Sequence, residues 1–333
     1  MKVGSRLSAV VLAALLLLSS CRTAGPQTAA IFAMDTVMDF TVYGGAQTLA
    51  DAEARVRELE TLFSVTSEES ELSALNRSGG GTVSAETAAL IPAALALCER
   101  TGGALDITVY PVVRAWGFTA GEHRVPSGEE LAALSAAVDY RGVSVKGNAV
   151  TLAQGAEIDL GGVAKGYTAD RLTEQLRAAG VESALLNLGG NVQAIGKKPN
   201  GDDWRVAIRD PQSESNVAVL AVSNRAVVTS GGYERFFERD GVTYHHIIDP
   251  ATGCPAKSGL LSVTVVAESG LLADALSTAL YVMGLDRAAE HWRAYRDFEA
   301  VFVDENGTIF LTEGLQSRFT PVSRGAAVEV IRL

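Results

Sequence analysis

The sequence is poor in the residues that most often carry zinc, disulfide or nucleic-acid chemistry. Its 333 residues include only 3 cysteines and 4 histidines, and beyond Cys21 the cysteines are Cys98 and Cys254. Their spacing fits no zinc site, and nothing in the pattern supports a disulfide between Cys98 and Cys254. The formal net charge is -11 and no cluster of Lys or Arg occurs, so nucleic acid is not an expected partner.

Nucleotide-binding fingerprints are also missing. No G-x-G-x-x-G follows a strand and no P-loop pattern occurs, although residues 159–172, DLGGVAKGYTADRL, contain several glycines. Helix and strand patterns show no strict βαβ rhythm, so a Rossmann fold is not expected. Two alternatives remain for this stretch. It is either a tight strand-to-helix turn, or a helix start whose backbone amides bind an anion beside Lys165.

The one long apolar run lies at the N-terminus. A short basic segment precedes apolar residues 7–18, which is typical of a secretory signal and too short for a membrane-spanning helix. Small residues then lead to Cys21. We therefore predict a lipoprotein signal peptide over residues 1–20 with lipidation of Cys21; secretion without a lipid is the alternative.

The rest of the chain is expected to be a tether and a globular domain. Residues 21–30 are small and polar with a proline and a glycine, which predicts a flexible tether. Residues 31–333 follow, and the chain's 47% hydrophobic content is enough for a sizeable core. The expected location is the periplasmic or another extracytoplasmic face of a membrane, held there by lipid.

Periodicity predicts an α+β fold of largely antiparallel sheets covered by helices. Apolar residues recur at three- and four-residue spacings from Leu49 to Phe63, and further helices are expected over about 84–100, from Ser127 onward and over about 168–179. Several strands are joined by Asp-Gly and Asn-Gly turns. The strand patterns are AEIDL, SALLNLGG, WRVAIRDP, VAVLAVS, VTYHHIIDP, LLSVTVVA, EAVFVD and TIFLT.

One predicted helix, LLADALSTALYVMG at residues 271–284, is apolar yet carries a carboxylate. Asp274, Ser277 and Thr278 share one helix face at three- and four-residue spacings. Oxygen ligands of this kind, one of them charged, suit Mg²⁺. The alternative is structural: Asp274 caps a neighbouring loop, and Thr278 bonds back to a helix carbonyl.

Two adjacent histidines, His245 and His246, lead into an Asp-Pro turn. Neighbouring residues of a strand point to opposite faces, so only one histidine can face a given cleft. A histidine there could be a general base, which would make activity change between pH 5 and 8; a strand histidine bonded to the backbone is the alternative. Ser230 lacks the G-x-S-x-G context that would support a catalytic triad.

Taken together, these stretches resemble the ApbE family, the FAD:protein FMN transferases. The resemblance implies an ApbE-like, T-fold-like architecture. It runs from about Ala33 to Gly284 and is carried by AMDTVMDFTVYG, SELSALN, ALDITVYPVVRAWGF, IDLGGVAKGYTADRL, LLNLGGNVQAIG, WRVAIRDP, VVTSGGYERFF, YHHIIDPATGCP and VTVVAESGLLADALSTALYVMG.

The resemblance also implies the site residues. The residues matching the FAD contacts are Met34, Ala104, Leu105, Asp106, Asp159, Lys165 and Ile248. The implied Mg²⁺ ligands are the backbone carbonyl of Gly162 with Asp274, Thr278 and Ser277. His246 matches the histidine of the family's HI-DP-TG-P motif and is, with Asp274, the expected catalytic residue.

The implied reaction is Mg²⁺-dependent transfer of FMN from FAD to a threonine hydroxyl of a partner flavoprotein, with release of AMP. In the family such partners are subunits of respiratory ion pumps or related exported flavoproteins. Two departures bear on this: Asp35 stands where relatives commonly have glycine, and Thr66 where many have tyrosine. Without that aromatic ring, stacking on FAD weakens and water gains access. An FAD pyrophosphatase and a non-catalytic flavin-binding lipoprotein are therefore the alternatives.

Overall fold

The computed structural model describes residues 25–119, 121–322 and 325–333. The predicted signal peptide and Cys21 lie outside these residues. In the described part no helix is long and apolar enough to cross a membrane. Two short 3-10 helices cover Tyr140–Gly142 and Glu313–Leu315. The α-helices there are α1 (Ala46–Phe63), α2 (Glu71–Ser78), α3 (Ala85–Arg100), α4 (Tyr110–Ala115), α5 (Gly128–Ser135), α6 (Ala164–Ala178), α7 (Gly270–Met283) and α8 (Leu285–Tyr295).

The strands fall between and after these helices. In chain order they are β1 (Gln27–Ala33), β2 (Thr36–Val42), β3 (Gly80–Thr82), β4 (Val143–Lys146), β5 (Ala149–Leu152), β6 (Ala184–Leu188), β7 (Asn191–Ile195), β8 (Trp204–Arg209), β9 (Asn216–Val222), β10 (Arg225–Gly231), β11 (Phe236–Arg239), β12 (Val242–His245), β13 (Ile248–Asp249), β14 (Cys254–Pro255), β15 (Leu260–Ala267), β16 (Phe298–Asp304), β17 (Ile309–Thr312), β18 (Phe319–Pro321) and β19 (Val328–Ile331).

A nine-stranded sheet organises the molecule. Its order is β1-β2-β6-β7-β10-β15-β16-β17-β19, and every neighbouring pair is antiparallel except β17 with β19. Two three-stranded sheets, β3-β5-β4 and β18-β9-β8, and the hairpins β11-β12 and β13-β14 accompany it. The predicted α+β class with largely antiparallel sheets, and not a Rossmann fold, is confirmed.

Both faces of the central sheet are covered. On one face α1 and α6 pack over β1, β2 and β6, while α7 and α8 pack over β10, β15 and β16. The β8-β9 pair covers the other face through Val206 and Leu220, against Val227 and Val301. Strands β15 and β16 therefore appear in the sequence as nearly continuous apolar runs, because neither face meets water.

Helix α7 lies between two cores, which explains why its sequence is apolar all round. Ala273, Leu276 and Leu280 face the central sheet. Ala275 and Ala279 face the second core, formed by α1–α3, the start of α6 and the β3-β5-β4 sheet. A helix buried on every side has no solvent face on which polar residues are free to accumulate. Its carboxylate and hydroxyls therefore need a specific reason.

Most predicted helices are confirmed at their starts. Ser84 caps α3, and Ser127 caps α5 by accepting the Glu130 N–H at 3.1 Å. Two predictions of secondary structure were wrong. AEIDL forms only an isolated bridge from Glu157 to Val109, and α6 begins at Ala164 instead of near residue 168.

The predicted boundary between tether and domain was also wrong. Strand β1 begins at Gln27, within the predicted tether over residues 21–30. Residues 27–30 pair in register with the far end of β2, from Gln27 opposite Val42 to Ala30 opposite Asp39. The small side chains that suggested a flexible segment pack equally well on an edge strand, because ladder hydrogen bonds do not depend on the side chain.

A two-residue turn joins β1 to β2 and carries the Asp35 departure. Met34 and Asp35 have φ of 50° and 59°, and Ala33 pairs with Thr36. Positive φ at both central positions matches the type I′ hairpin turn, whose second position favours glycine. The glycine common in relatives would therefore suit this backbone better than Asp35 does.

Replacing Asp35 by glycine should raise the free energy of unfolding by about 0.5–1 kcal/mol, measured by chemical denaturation. The left-handed conformation costs an ordinary residue roughly 1–2 kcal/mol, and the extra chain entropy of glycine offsets roughly 0.5–1 kcal/mol of the gain. Asp35→Ala is the matched control, because it removes the carboxylate but keeps Cβ. Equal stabilisation by alanine would show that the charge, and not the backbone, is responsible.

Candidate functional site

The site is built around a close crossing of α6 and α7. A Cβ added to Gly166 would overlap the carbonyl oxygen of Gly270 and come within 2.6 Å of Asp274 Cβ. A Cβ on Gly270 would in turn come within 2.5 Å of the Gly166 carbonyl oxygen. Only glycine at both positions lets the backbones touch. The crossing brings the start of α6 against the site face of α7.

The Asp274 carboxylate bridges the two helices. It is only 5% exposed, and its Oδ2 accepts the backbone N–H of Gly166 at 2.8 Å. In a regular helix that N–H would bond the carbonyl of residue 162. Here Gly162 precedes the N-cap Val163, so the Gly166 N–H belongs to the first turn of α6 and is satisfied by Asp274, and the Gly162 carbonyl accepts no bond from it. Oδ1 of Asp274 has no hydrogen-bond partner among the described residues.

The two hydroxyls of α7 have different surroundings. Ser277 is fully buried and donates to the Asp274 carbonyl at 2.9 Å. Ser230, on β10, lies 2.8 Å from Ser277 Oγ and 3.3 Å from Thr278 Oγ1. Thr278 is half-buried and faces Ser230 instead of bonding back to its helix. Ser277 is thus committed to structural bonds, whereas Thr278 is better placed to contact a ligand.

The glycine-rich turn is fixed to the segment that follows α3. The Asp159 N–H donates to the Ile107 carbonyl at 2.7 Å, and Asp159 Oδ1 accepts the Gly161 N–H at 2.8 Å. A Cβ on Gly162 would lie 3.4 Å from Leu105 Cδ1. The structure therefore brings the predicted Ala104–Asp106 and Asp159–Lys165 contacts together.

Charges accumulate at this turn. Burial raises the pKa of the Asp159 carboxyl, opposed by the Gly161 N–H and by the positive charges of Lys165 and Arg235. Lys165 lies in the first turn of α6, whose N-cap residue is Val163. A cation and the N-terminal end of a helix together favour an anion.

Asp106 is occupied by its own loop. Its Oδ1 accepts the Thr108 N–H at 2.8 Å and the Thr108 hydroxyl at 2.6 Å, and its Oδ2 accepts the Tyr140 N–H at 3.0 Å. The side chain is 6% exposed. The carboxylate therefore shapes the segment that carries Ala104 and Leu105, which are also buried.

The remaining predicted flavin contacts, Met34 and Ile248, lie in different parts of the structure. Met34 sits in the β1-β2 turn with its Sδ 3.9 Å from Thr168 Oγ1, on α6. Ile248 is 6% exposed and packs with Trp116 and Val112 in a separate apolar cluster. Met34 therefore borders the α6 start, while Ile248 supports the segment that carries the histidines.

The two histidines use different ring nitrogens to bond to the backbone, so a different nitrogen remains without a backbone bond in each. His245 Nε2 lies 3.1 Å from the Ala256 carbonyl, and its ring packs edge-on against Tyr281. His246 Nδ1 lies 3.2 Å from the Arg235 carbonyl. A carbonyl can only accept, so Nδ1 of His246 carries the proton and Nε2 keeps its lone pair. That is the tautomer a general base needs.

The protonation of His246 is strongly shifted. Burial lowers its pKa to about 4, and the positive charges of Arg235 and Lys165 act in the same direction, while the bond to the Arg235 carbonyl opposes them. Burial also lowers the pKa of His245. Burial and these charges favour the neutral ring in the ligand-free protein, so we expect activity to change below pH 5 and not between pH 5 and 8.

Several other sequence features have structural explanations. Cys98 and Cys254 are both free, and burial raises the pKa of the Cys98 thiol to about 12. Ser230 contacts hydroxyls of α7 instead of a histidine, so no catalytic triad forms there. Thr66 is exposed in the loop after α1 and bonds locally to Ser64.

Sequence reasoning missed two residues of the site. Ser230 was considered only as a nucleophile, yet it supports Thr278. Arg235 orients His246 through its carbonyl and adds positive charge near Asp159. The quoted stretch VVTSGGYERFF contains both residues, but only the pairing of β10 with β15 and the path of the chain to β12 show what they approach.

The oxygen atoms at this crossing fit a hard divalent cation. The Gly162 carbonyl, Asp274 Oδ1 and Thr278 Oγ1 are one backbone, one charged and one hydroxyl oxygen, the ligand types that Mg²⁺ accepts alongside water or phosphate. No group of three or more His, Cys, Asp or Glu residues that could hold a metal occurs in the described part of the chain. A zinc-type site there is thus not supported.

In this α+β fold Lys165 lies at the start of α6, and the same helix start is bonded to Asp274 of α7. The model of the ApbE family matches residues 34–302. The FAD:protein FMN transferase of Treponema pallidum (strain Nichols) is 38% identical over 285 residues, covering 79% of this chain and 78% of its own. That of Klebsiella pneumoniae (strain 342) is 34% identical, covering 82% and 87%.

Solved structures agree with the sequence relatives. The ApbE protein of Thermotoga maritima MSB8 superposes with a TM-score of 0.83 at 34% identity, covering 88% of this chain and 99% of that one. The flavin transferase ApbE of Vibrio cholerae gives a TM-score of 0.80 at 29% identity, covering 89% and 99%. This chain belongs to the ApbE family, and it is an enzyme of the transferase class.

Proposed function

We propose that this flavin transferase moves FMN from FAD to a threonine hydroxyl of a partner protein, in a Mg²⁺-dependent reaction that releases AMP. The observation that carries the proposal is the α6-α7 crossing. There, the Gly162 carbonyl accepts no bond from the Gly166 N–H, which is bonded to Asp274 Oδ2, while Asp274 Oδ1 and Thr278 Oγ1 lie on the facing helix. Relatives named FAD:protein FMN transferase support the substrate and the transferred group.

The pyrophosphate of FAD would lie over the α6 start. Lys165 and the helix N-terminal end attract its negative charge. Gly162, Asp274 and Thr278 would hold Mg²⁺, which when bound neutralises phosphate charge and makes AMP a better leaving group. Leu105 borders the same turn, Met34 lies against Thr168 of α6, and both would contact the rest of the dinucleotide.

The chain's own residues would handle the proton. His246 Nε2 takes the proton of the acceptor hydroxyl as its oxygen bonds to the phosphorus of the FMN half. The bond between that phosphorus and the AMP oxygen breaks, and AMP leaves with the bridging oxygen. The Arg235 carbonyl holds the ring through Nδ1 at 3.2 Å, so the free nitrogen keeps its direction.

Water competes with the acceptor hydroxyl as the nucleophile, and the surroundings of Thr66 give a reason to test for hydrolysis of FAD. Thr66 is exposed and bonded only within its own loop, so it supplies no aromatic cover. The enzyme should nevertheless transfer FMN, and incubation with FAD and Mg²⁺ without acceptor should release little AMP. Rapid, catalytic AMP release would instead establish an FAD pyrophosphatase. Restoring the ring with Thr66→Tyr would then lower that release if an open pyrophosphate is the cause.

The location and partner complete the proposal. The enzyme would be anchored by lipid on Cys21 at an extracytoplasmic membrane face, and its acceptors would be subunits of respiratory ion pumps or related exported flavoproteins. Mass spectrometry of flavinylated peptides after coexpression with such proteins tests the acceptor. Membrane fractionation of Cys21→Ser tests the anchor.

A further inference from the structure

Asp170, on α6, is bonded to the beginning of the helix that carries the proposed metal ligands. Its Oδ1 accepts the Gly270 N–H at 2.6 Å. Its Oδ2 accepts the Leu271 N–H at 3.0 Å and the Ser269 hydroxyl at 2.7 Å. One carboxylate thus binds the first two amides of α7 and its N-cap side chain, contacts that satisfy otherwise unpaired donors.

The contact is reciprocal. Asp170 of α6 binds the start of α7, while Asp274 of α7 binds the Gly166 N–H at the start of α6. The two bonds lie on either side of the point where Gly166 and Gly270 touch. A Cβ on Gly270 would lie only 3.2 Å from Asp170 Oδ1, so the carboxylate is held against the crossing.

The geometry points to Asp170 as a positioning residue for the metal site, an inference that rests on the proposed function. Asp274 lies four residues after Gly270, about one helical turn or 6 Å along α7. A shift of the α7 start along or around its axis therefore moves Asp274 Oδ1 and Thr278 Oγ1 relative to the Gly162 carbonyl. Mg²⁺ demands near-ideal ligand positions, so its affinity is sensitive to such a shift.

The same protein offers a matched control for a purely structural role. Glu71, on α2, accepts the N–H and hydroxyl of Ser84 and the hydroxyl of Thr87 at the start of α3. The chemistry is the same: a carboxylate from another helix binds a helix N-terminus and its N-cap serine. Helix α3 carries none of the proposed metal ligands.

The test compares Asp170→Asn with Glu71→Gln in the full-length protein. Mn²⁺ serves as the probe, and its dissociation constant is measured by electron paramagnetic resonance without turnover, at a temperature where both variants are folded. Both substitutions should lower the melting temperature. Only Asp170→Asn should weaken Mn²⁺ binding, by about tenfold, as loss of supporting bonds around a metal does. It should also raise the Mg²⁺ concentration for half-maximal rate, with kcat recovering at saturating Mg²⁺.

Each outcome decides the inference. Unchanged Mn²⁺ affinity in Asp170→Asn, or equal weakening in Glu71→Gln, overturns it. If Asp170→Asn does not fold, Ser269→Ala takes its place, because this substitution removes one hydrogen bond to Asp170 and should weaken Mn²⁺ binding by a smaller factor. Unchanged Mn²⁺ affinity in Ser269→Ala would also overturn the inference. Failure of the wild type to bind Mn²⁺ or respond to Mg²⁺ is a separate result, which refutes the metal site of the proposed function itself.

Discussion

Asp274→Asn should lower flavin transfer by about 10²- to 10³-fold at saturating FAD. A metal ion supplies several kcal/mol of charge stabilisation in the transition state, and each 1.36 kcal/mol is a factor of ten in rate. The amide can still accept the Gly166 N–H through its oxygen, which directs its NH₂ group toward the place of the cation. The change therefore removes the charged ligand while keeping the bond between the helices.

The measurement is flavin labelling of an acceptor protein by in-gel fluorescence over a Mg²⁺ titration. Asp286→Asn, at the exposed start of α8, is the control for loss of a carboxylate and should keep full activity. FAD retention, measured in parallel, separates the alternatives. Undiminished labelling by Asp274→Asn would remove Asp274 from the mechanism, and a wild type that retains FAD without labelling or metal dependence would indicate a flavin-binding protein without catalysis.

The helices of the fold could be predicted from local sequence. Leu49 to Phe63 recur with helical spacing because that face is buried throughout, on β1 and β2 as far as Val56 and in the second core from Leu59 onward. Ser84 and Ser127 mark helix starts because their hydroxyls cap locally. Apolar patterns also revealed β15 and β16. In each case the sequence pattern lies within the helix or strand that it predicts, or directly beside it.

The start of α6 could not be predicted in this way. GGVAKG has the composition of a turn, and helix was expected only from about residue 168. The structure extends the helix back to Ala164, and Asp274, 108 residues from Gly166 in sequence, accepts the Gly166 N–H. A long-range side chain thus satisfies an N–H group of the first turn that has no partner within the helix.

The contacts of Asp274 bear on both alternatives that its helix spacing left open. Its Oδ2 accepts the Gly166 N–H, in line with the structural alternative in which Asp274 caps a neighbouring segment. Its Oδ1 has no hydrogen-bond partner among the described residues. The four-residue spacing predicted that Asp274 and Thr278 share one helix face, but it could not predict which residue of another element lies opposite Thr278. That partner, Ser230, comes from β10, which the path of the chain alone does not bring to α7.

His246→Asn should lower kcat by about 10²- to 10⁴-fold, the range that a positioned general base contributes. The amide Nδ2–H can replace the ring Nδ1–H as donor to the Arg235 carbonyl, so the local hydrogen bond survives while the basic nitrogen is lost. His245→Gln is the matched control, because its Nε2–H can still donate to the Ala256 carbonyl, and it should keep most activity. A large loss in His245→Gln with none in His246→Asn would exchange the two assignments.

The pH profile gives His246 a second, independent test. With its pKa lowered by burial to about 4, the free base persists above pH 5, and activity falls only as the pH drops through about 4 and the ring is protonated. The profile of kcat/KM reports the free enzyme and should be flat from pH 5 to 8. Bound pyrophosphate brings negative charge near the ring and favours the protonated form, so the acid limb of kcat should lie at higher pH than that of kcat/KM. An acid limb of kcat/KM near pH 6.5 that disappears in His246→Asn would show an unburied histidine in solution; one that persists in that variant would belong to another group.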